Sequence, residues 1–193
     1  MSPILDSIGS VKGFGWGAFS GPAFDSDFES IATTTLSSSQ ATVSFTSIPA
    51  TFKHLQLRVL GQAADSGGAF NIKARFNSDT GNNYALHRLI GDGSSPTSAG
   101  VASTGYARLG VLNSSDFTNV FSGNVIDILD YTDTNKYTTT RSLGGYDKNG
   151  ATGFVMYHSS LWMNTAAITS IELTTDTGNL AQYSSFALYG IKG

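Results

Sequence analysis

From Ile31 onward, apolar and polar residues alternate with a period of two. In "KHLQLRVL", Leu55, Leu57 and Val59 fall on one face and His54, Gln56 and Arg58 on the other, which predicts a half-buried strand. "AFNIKARF" repeats the pattern, with Phe70, Ile72, Ala74 and Phe76 opposing Asn71, Lys73 and Arg75. The turn-rich "GQAADSGG" between them predicts a hairpin with a longer loop. "ATVSFTSIP" turns Val43 and Phe45 inward before Pro49 ends the run. "NVFSGNVIDIL", "KYTTTRSLGGY", "GFVMYHSSLW", "AITSIELTT" and "YSSFALYGI" read as further strands. In "VIDIL" both faces are apolar, which suits a central strand covered on both sides or a face that meets another subunit. Asp-Thr-Gly-Asn occurs at Asp79–Asn82 and again at Asp176–Asn179, between predicted strands, as turn chemistry in which Gly supplies positive φ. About ten strands with regular turn signals predict an all-β chain: an antiparallel β-sandwich of jelly-roll type over residues 28–193, behind an extended N-terminal arm over residues 1–27.

Composition agrees with exposed sheet. Charged residues are 13% of the 193, about half the usual share, while Ser, Thr, Gly and Asn are abundant. A net charge of −3 and eleven scattered basic residues leave no patch for phosphate backbones, so nucleic acid is not an expected partner. With no cysteine there are no disulfides, thiolate metal sites or cysteine nucleophiles. No apolar run reaches the roughly 18–20 residues that span a bilayer. "MSPILDSIGSVKGFGWG" has no basic leader and carries Asp6, so it reads as a retained segment rather than a signal peptide, and no membrane insertion is expected.

The arm has its own logic. "GFGWGAFSGPAF" sets Phe14, Trp16, Phe19 and Phe24 on a glycine-rich backbone that loses much entropy when ordered. Each ring can bury roughly 150–250 Å² at about 25 cal/mol per Å², which outweighs ordering only where a receiving groove exists. Ile4, Leu5, Ile8 and Val11 have the spacing of one short helical turn. The expected docking residues are therefore Ile4, Leu5, Ile8, Phe14, Trp16, Phe19 and Phe24. The competing reading folds this arm back over its own sheet edge.

Catalytic constellations are not evident. His54, His87 and His158 lie in different strands without metal-ligand spacing and read as polar-face residues. No G-x-S-x-G elbow occurs. "DSDFE" (Asp25, Asp27, Glu29) and "NSDTGN" (Asn77, Asp79, Asn82) depart from calcium-loop spacing and read as caps and turns, so no metal is expected. Asp127, Asp130 and Asp133 read as a strand entering a turn rather than a glycosidase acid pair. Tyr84, Tyr106, Tyr131, Tyr137, Tyr146, Tyr157 and Trp162 lie near predicted strand ends. Of these, Tyr106, Tyr131, Tyr146 and Trp162 are the candidate glycan or subunit contacts, the competing account being that Tyr simply caps a core.

Four phrases, "FESIATTTLSSSQATVSFTSIPATFKHLQLR", "ARFNSDTGNNYALHRLIGDG", "VIDILDYTDTNKYTTTRSLGG" and "SSLWMNTAAITSIELTTDTGNLAQYSSFALYGIKG", resemble a recurrent family of tailed-bacteriophage virion proteins with a short variable N-terminal segment and a β-rich module. The resemblance covers about residues 28–193. It implies a non-enzymatic structural protein of the virion, of tail-fibre, tail-tip, baseplate or capsid-decoration (cement) type, assembled in the host cytoplasm. It implies capsid, tail or baseplate proteins as partners, a homo-oligomer with a trimer as the expectation, no cofactor and no catalytic residue. A lectin-like module for host surface glycan is the alternative, and a polysaccharide depolymerase ranks last.

Overall fold

A computed structural model describes residues 26–150 and 152–193. They form twelve strands: β1 (Phe28–Thr35), β2 (Val43–Phe45), β3 (His54–Gly61), β4 (Ala69–Phe76), β5 (Tyr84–Gly91), β6 (Pro96–Thr104), β7 (Ala107–Asn113), β8 (Ser122–Leu129), β9 (Thr138–Asp147), β10 (Gly153–Trp162), β11 (Ile171–Thr174) and β12 (Ser185–Ile191). Among the described residues there is no helix. All pairings between these strands are antiparallel and make two sheets, one of eight strands in the order β1-β12-β3-β8-β9-β10-β5-β6 and one of four in the order β2-β11-β4-β7. The arm residues Ile4, Leu5, Ile8, Phe14, Trp16, Phe19 and Phe24 lie outside the described residues, as do Asp25 and Ala151.

Alternation decides how the sheets meet. Leu55, Leu57 and Val59 of β3 and Ile126 and Ile128 of β8 form one core with Val43 and Phe45 of β2, Ile72, Ala74 and Phe76 of β4, and Ile171 and Leu173 of β11. Each strand carries one apolar face, so the two sheets stack in a sandwich-like arrangement. The expected faces of β2, β3 and β4 are those observed. The expected β3–β4 hairpin is not: β3 pairs with β12 and β8, and β4 with β11 and β7. After Gly61 the chain crosses between sheets. The crossing is fixed where the Gln62 N–H donates to Ser184 Oγ (3.1 Å), Ala63 N–H to the Asn113 carbonyl (2.9 Å) and Ala64 N–H to the Asn179 carbonyl (2.8 Å). The apolar faces of β3 and β4 thus meet across the core instead of lying side by side.

The four-stranded sheet ends at β7, whose outer edge is closed by side chains of the larger sheet. Asn124 Oδ1 accepts from Val111 N–H at 3.0 Å and its Nδ2 donates to the Val111 carbonyl at 2.9 Å. Ser122 Oγ accepts from Asn113 N–H at 2.6 Å, and Ser160 Oγ donates to the Arg108 carbonyl at 2.9 Å. Gly110 and Gly144 flank the Asn124 amide so closely that a Cβ on either would collide with it. Three polar side chains thereby satisfy a strand edge that would otherwise be left without partners. Beyond this edge β5 and β6 continue the larger sheet.

Candidate interaction surface on the eight-stranded sheet

The outward face of the larger sheet carries six of the ten exposed large hydrophobic residues among the described residues. Register aligns Val125 (β8) with Leu143 (β9), Leu143 with Tyr157 (β10), and Tyr157 with Leu89 (β5), giving one cross-strand row. Leu143 is 57% exposed and Val155, in the neighbouring row, 63%. Leu60, Val125, Leu89 and Tyr157 are also open to solvent. Together these six present on the order of 600 Å², at the top of the 300–600 Å² of the largest patch on a typical monomer. Between Leu60 and Val155 the paired Gly123 and Gly145 leave a shallow depression. Glycine matters at Gly123, where a Cβ would project into open space and fill the hollow.

The row on the other side is polar. Arg58, which continues the Val125 row onto β3, reaches into this polar row, its Nε donating to Gln56 Oε1 (3.0 Å), and Gln56 Nε2 donates to Asp127 Oδ1 (2.9 Å). Asp127 stands opposite Arg141, and Ser159 follows opposite Arg141 on β10. At the β1 end the Arg58 guanidinium lies 5.2 Å from the Phe28 ring and 5.3 Å from that of Tyr189, and those two rings stack at 4.8 Å. An apolar stripe bordered by ordered polar groups is the anatomy of a protein interface, whose centre is depleted of charge.

The sheet's edges differ in their protection. β1 carries Glu29 and a register break between Ser30 and Ala32. β6 is exposed on both faces for nearly its whole length and contains no charged residue; Pro96 blunts its start and a bulge between Val101 and Thr104, with Ser103 at φ 56°, blunts its end, which leaves the stretch between them open. An uncharged open edge beside an apolar face suits pairing with another chain.

The candidate contact residues are redistributed by the fold. Trp162 (1% exposed), Tyr131 and Tyr146 are buried, so they offer no ring to a glycan or subunit; this corrects the sequence expectation. On β10, Met156, His158, Ser160 and Trp162 share the inner face, and Trp162 enters a cluster with Phe76 (5.6 Å between ring centroids) and Tyr84 (6.4 Å). Tyr131 donates its hydroxyl to the Pro49 carbonyl, and burial raises its pKa. Burial alone pushes Tyr146 up to about 12. Tyr106 is half-buried under Lys73, and the hydrogen bond from Arg108 lowers its pKa. Of the remaining tyrosines named, Tyr84 is fully buried, whereas Tyr137 and Tyr157 are exposed.

The candidate acids are held in local structure. The Asp79 carboxylate accepts from Gly81 N–H (2.8 Å), Asn83 Nδ2 and Trp162 Nε1 (2.8 Å). Burial opposes its charge, but these bonds and one from Asn164 outweigh burial and lower the pKa. Asn77 Oδ1 caps the Thr169 and Ser170 amides. Asp130 pairs with Lys53 at 3.1 Å and with Lys136, which also reaches Asp133. Glu29 pairs with Lys192 at 2.6 Å. No group of three or more His, Cys, Asp or Glu among the described residues is placed to hold a metal. His54 and His87 lie on the outer face, as expected; His158 is 1% exposed on the inner face, which corrects its assignment as a polar-face residue. Of the two Asp-Thr-Gly-Asn turns, Gly178 has the expected positive φ (+66°), but Gly81 of the first copy does not, and positive φ falls instead on Asn77 and Ser78 just before it (51° and 57°). No family model, curated protein or solved structure matches the chain.

Proposed function

We propose that this chain is a structural, non-enzymatic component of a bacteriophage particle, assembling with copies of itself through the outer face and free edge of its eight-stranded sheet, with residues 1–27 attaching it to another virion protein. The observation that carries the assembly reading is the in-register apolar row from Val125 to Leu89, which no described residue covers. The virion assignment rests on the resemblance of the four sequence phrases, the last of which includes β12. A jelly-roll topology is part of the proposal. It is supported by the nested pairs β1–β12, β2–β11, β3–β8 and β4–β7, which alternate between the sheets as in a rolled-up hairpin, with β5–β6 and β9–β10 as insertions that widen one sheet. Sedimentation velocity on the full chain tests the assembly: a homo-oligomer, with three copies expected, supports it. A monomer at all concentrations up to about 100 μM, ample for a standard interface, overturns it.

A further inference from the structure

We propose that the overhang where the inner face of β5 and β10 passes the edge of β7 binds an oxyanion, a phosphate or a carboxylate, between Arg88, Arg108 and His158. The register sets Ser142, His158 and Arg88 side by side on the inner face of β9, β10 and β5. β7 lies over β9 and β10, and Ser160, two residues beyond His158 on the same face, donates to the Arg108 carbonyl. His158 is 1% exposed, and neither ring nitrogen has a hydrogen-bond partner. Ser142 Oγ, Arg88 Nε and Arg108 Nε are likewise buried and unpartnered.

The cluster is rich in donors and poor in acceptors. No ion pair among the described residues involves Arg88 or Arg108, and the one acceptor found for the Arg108 side chain is the Tyr106 hydroxyl. Burial and then the charges of both arginines hold the His158 pKa down at about 4, so the ring is neutral near pH 7 and can donate one N–H. Buried donors without partners and unpaired guanidinium charge are each costly, and an oxyanion relieves both at once. Both arginines are half-buried as residues, so part of each side chain reaches solvent, while their Nε atoms, Ser142 Oγ and the His158 ring are enclosed. The anion can come from solution or from a side-chain carboxylate of a neighbouring copy.

The test is a titration of the full chain with inorganic phosphate at constant ionic strength set by chloride, following the His158 ring resonance by NMR and the unfolding temperature. A free-anion site gives a saturable change in both, and Arg88→Gln weakens phosphate binding at least tenfold by removing charge-assisted bonds. Where a neighbour's carboxylate fills the site, phosphate has no effect on the oligomer, but Arg88→Gln weakens association at least tenfold. If the wild-type His158 resonance ignores saturating phosphate and association is the same in Arg88→Gln, the proposal is overturned. Should Arg88→Gln fail to fold, Arg88→Lys, which keeps the charge but not the fork geometry, gives the same comparison.

Discussion

Replacing Leu143 by glutamate separates the fold from the assembly. In the free subunit the Leu143 side chain lies on the outer face, touching solvent and its cross-strand neighbours Val125 and Tyr157. Losing those pairs costs about 0.2–1 kcal/mol each, so the unfolding temperature should fall by only a few degrees. In the assembly the balance differs. Leu143 is 57% exposed, and complete burial of a leucine stabilises by about 1.5–3 kcal/mol, so covering the remainder contributes on the order of 1–1.5 kcal/mol per copy. A glutamate there forfeits that burial and adds the desolvation of an unpaired carboxylate, several kcal/mol more. The combined loss of at least about 3 kcal/mol weakens association by more than 100-fold. Sedimentation velocity at matched concentrations measures it, with Tyr183→Glu as a control, since Tyr183 is exposed in the loop before β12. An unchanged sedimentation coefficient for a folded Leu143→Glu protein refutes the reasoning.

Further predictions concern the fold and its titration. Asn124→Ala leaves the Val111 N–H and carbonyl without their side-chain partners at a fully buried position. A loss of roughly 2–5 kcal/mol in urea unfolding is expected, whereas a loss under 1 kcal/mol would show that water replaces the amide. Phe76→Ala removes a fully buried ring packed on Tyr84 and Trp162 and should destabilise by about 3–5 kcal/mol. His158 is held near pKa 4 in the fold but takes its proton near 6.5 when unfolded, so the unfolded state binds more protons between these values. Stability contributed by the neutral ring therefore falls as pH drops from about 7 to 4, by about 3 kcal/mol, and His158→Gln should flatten that limb in phosphate-free buffer. The groups facing the ring are Arg88, Arg108 and Ser142, and among the described residues no carboxylate pairs with either arginine to offset the effect. The depressed pKa values of Asp79 and Asp176 act in a lower window: their contribution is present above about pH 4 and is lost as pH falls through the folded values. Asp79→Asn should shift the midpoint of acid unfolding, measured by circular dichroism.

Alternation along the chain revealed strand faces well and strand partners poorly. Leu55, Leu57 and Val59 point inward as their spacing requires, because burial of one face is a local property of a strand. The choice between a β3–β4 hairpin and a crossing depends on β12 and β8, more than sixty residues away along the chain, and no local pattern encodes it. β6, "PTSAGVAST", has neither alternation nor bulk, since both its faces meet solvent, and it was not legible as a strand. The parity of β10 did contain a missed signal. Met156 and Trp162 lie an even number of residues from His158, so the same period that buries them buries the histidine. The two-sided apolar run "VIDIL" was the legible trace of the candidate surface: Ile126 and Ile128 enter the core while Val125 faces out. The matching outward residues Leu143, Val155 and Leu89 come from separate strands, and only the sheet register lines them up.

Carbene footprinting of the assembled protein measures most directly whether the outer face of the eight-stranded sheet is covered. Val155 and Leu89 should be protected in the oligomer relative to the Leu143→Glu subunit, while Tyr137 and Tyr183 label equally in both. Equal labelling of Leu89 and Val155 in an intact oligomer and in the dissociated subunit contradicts the account.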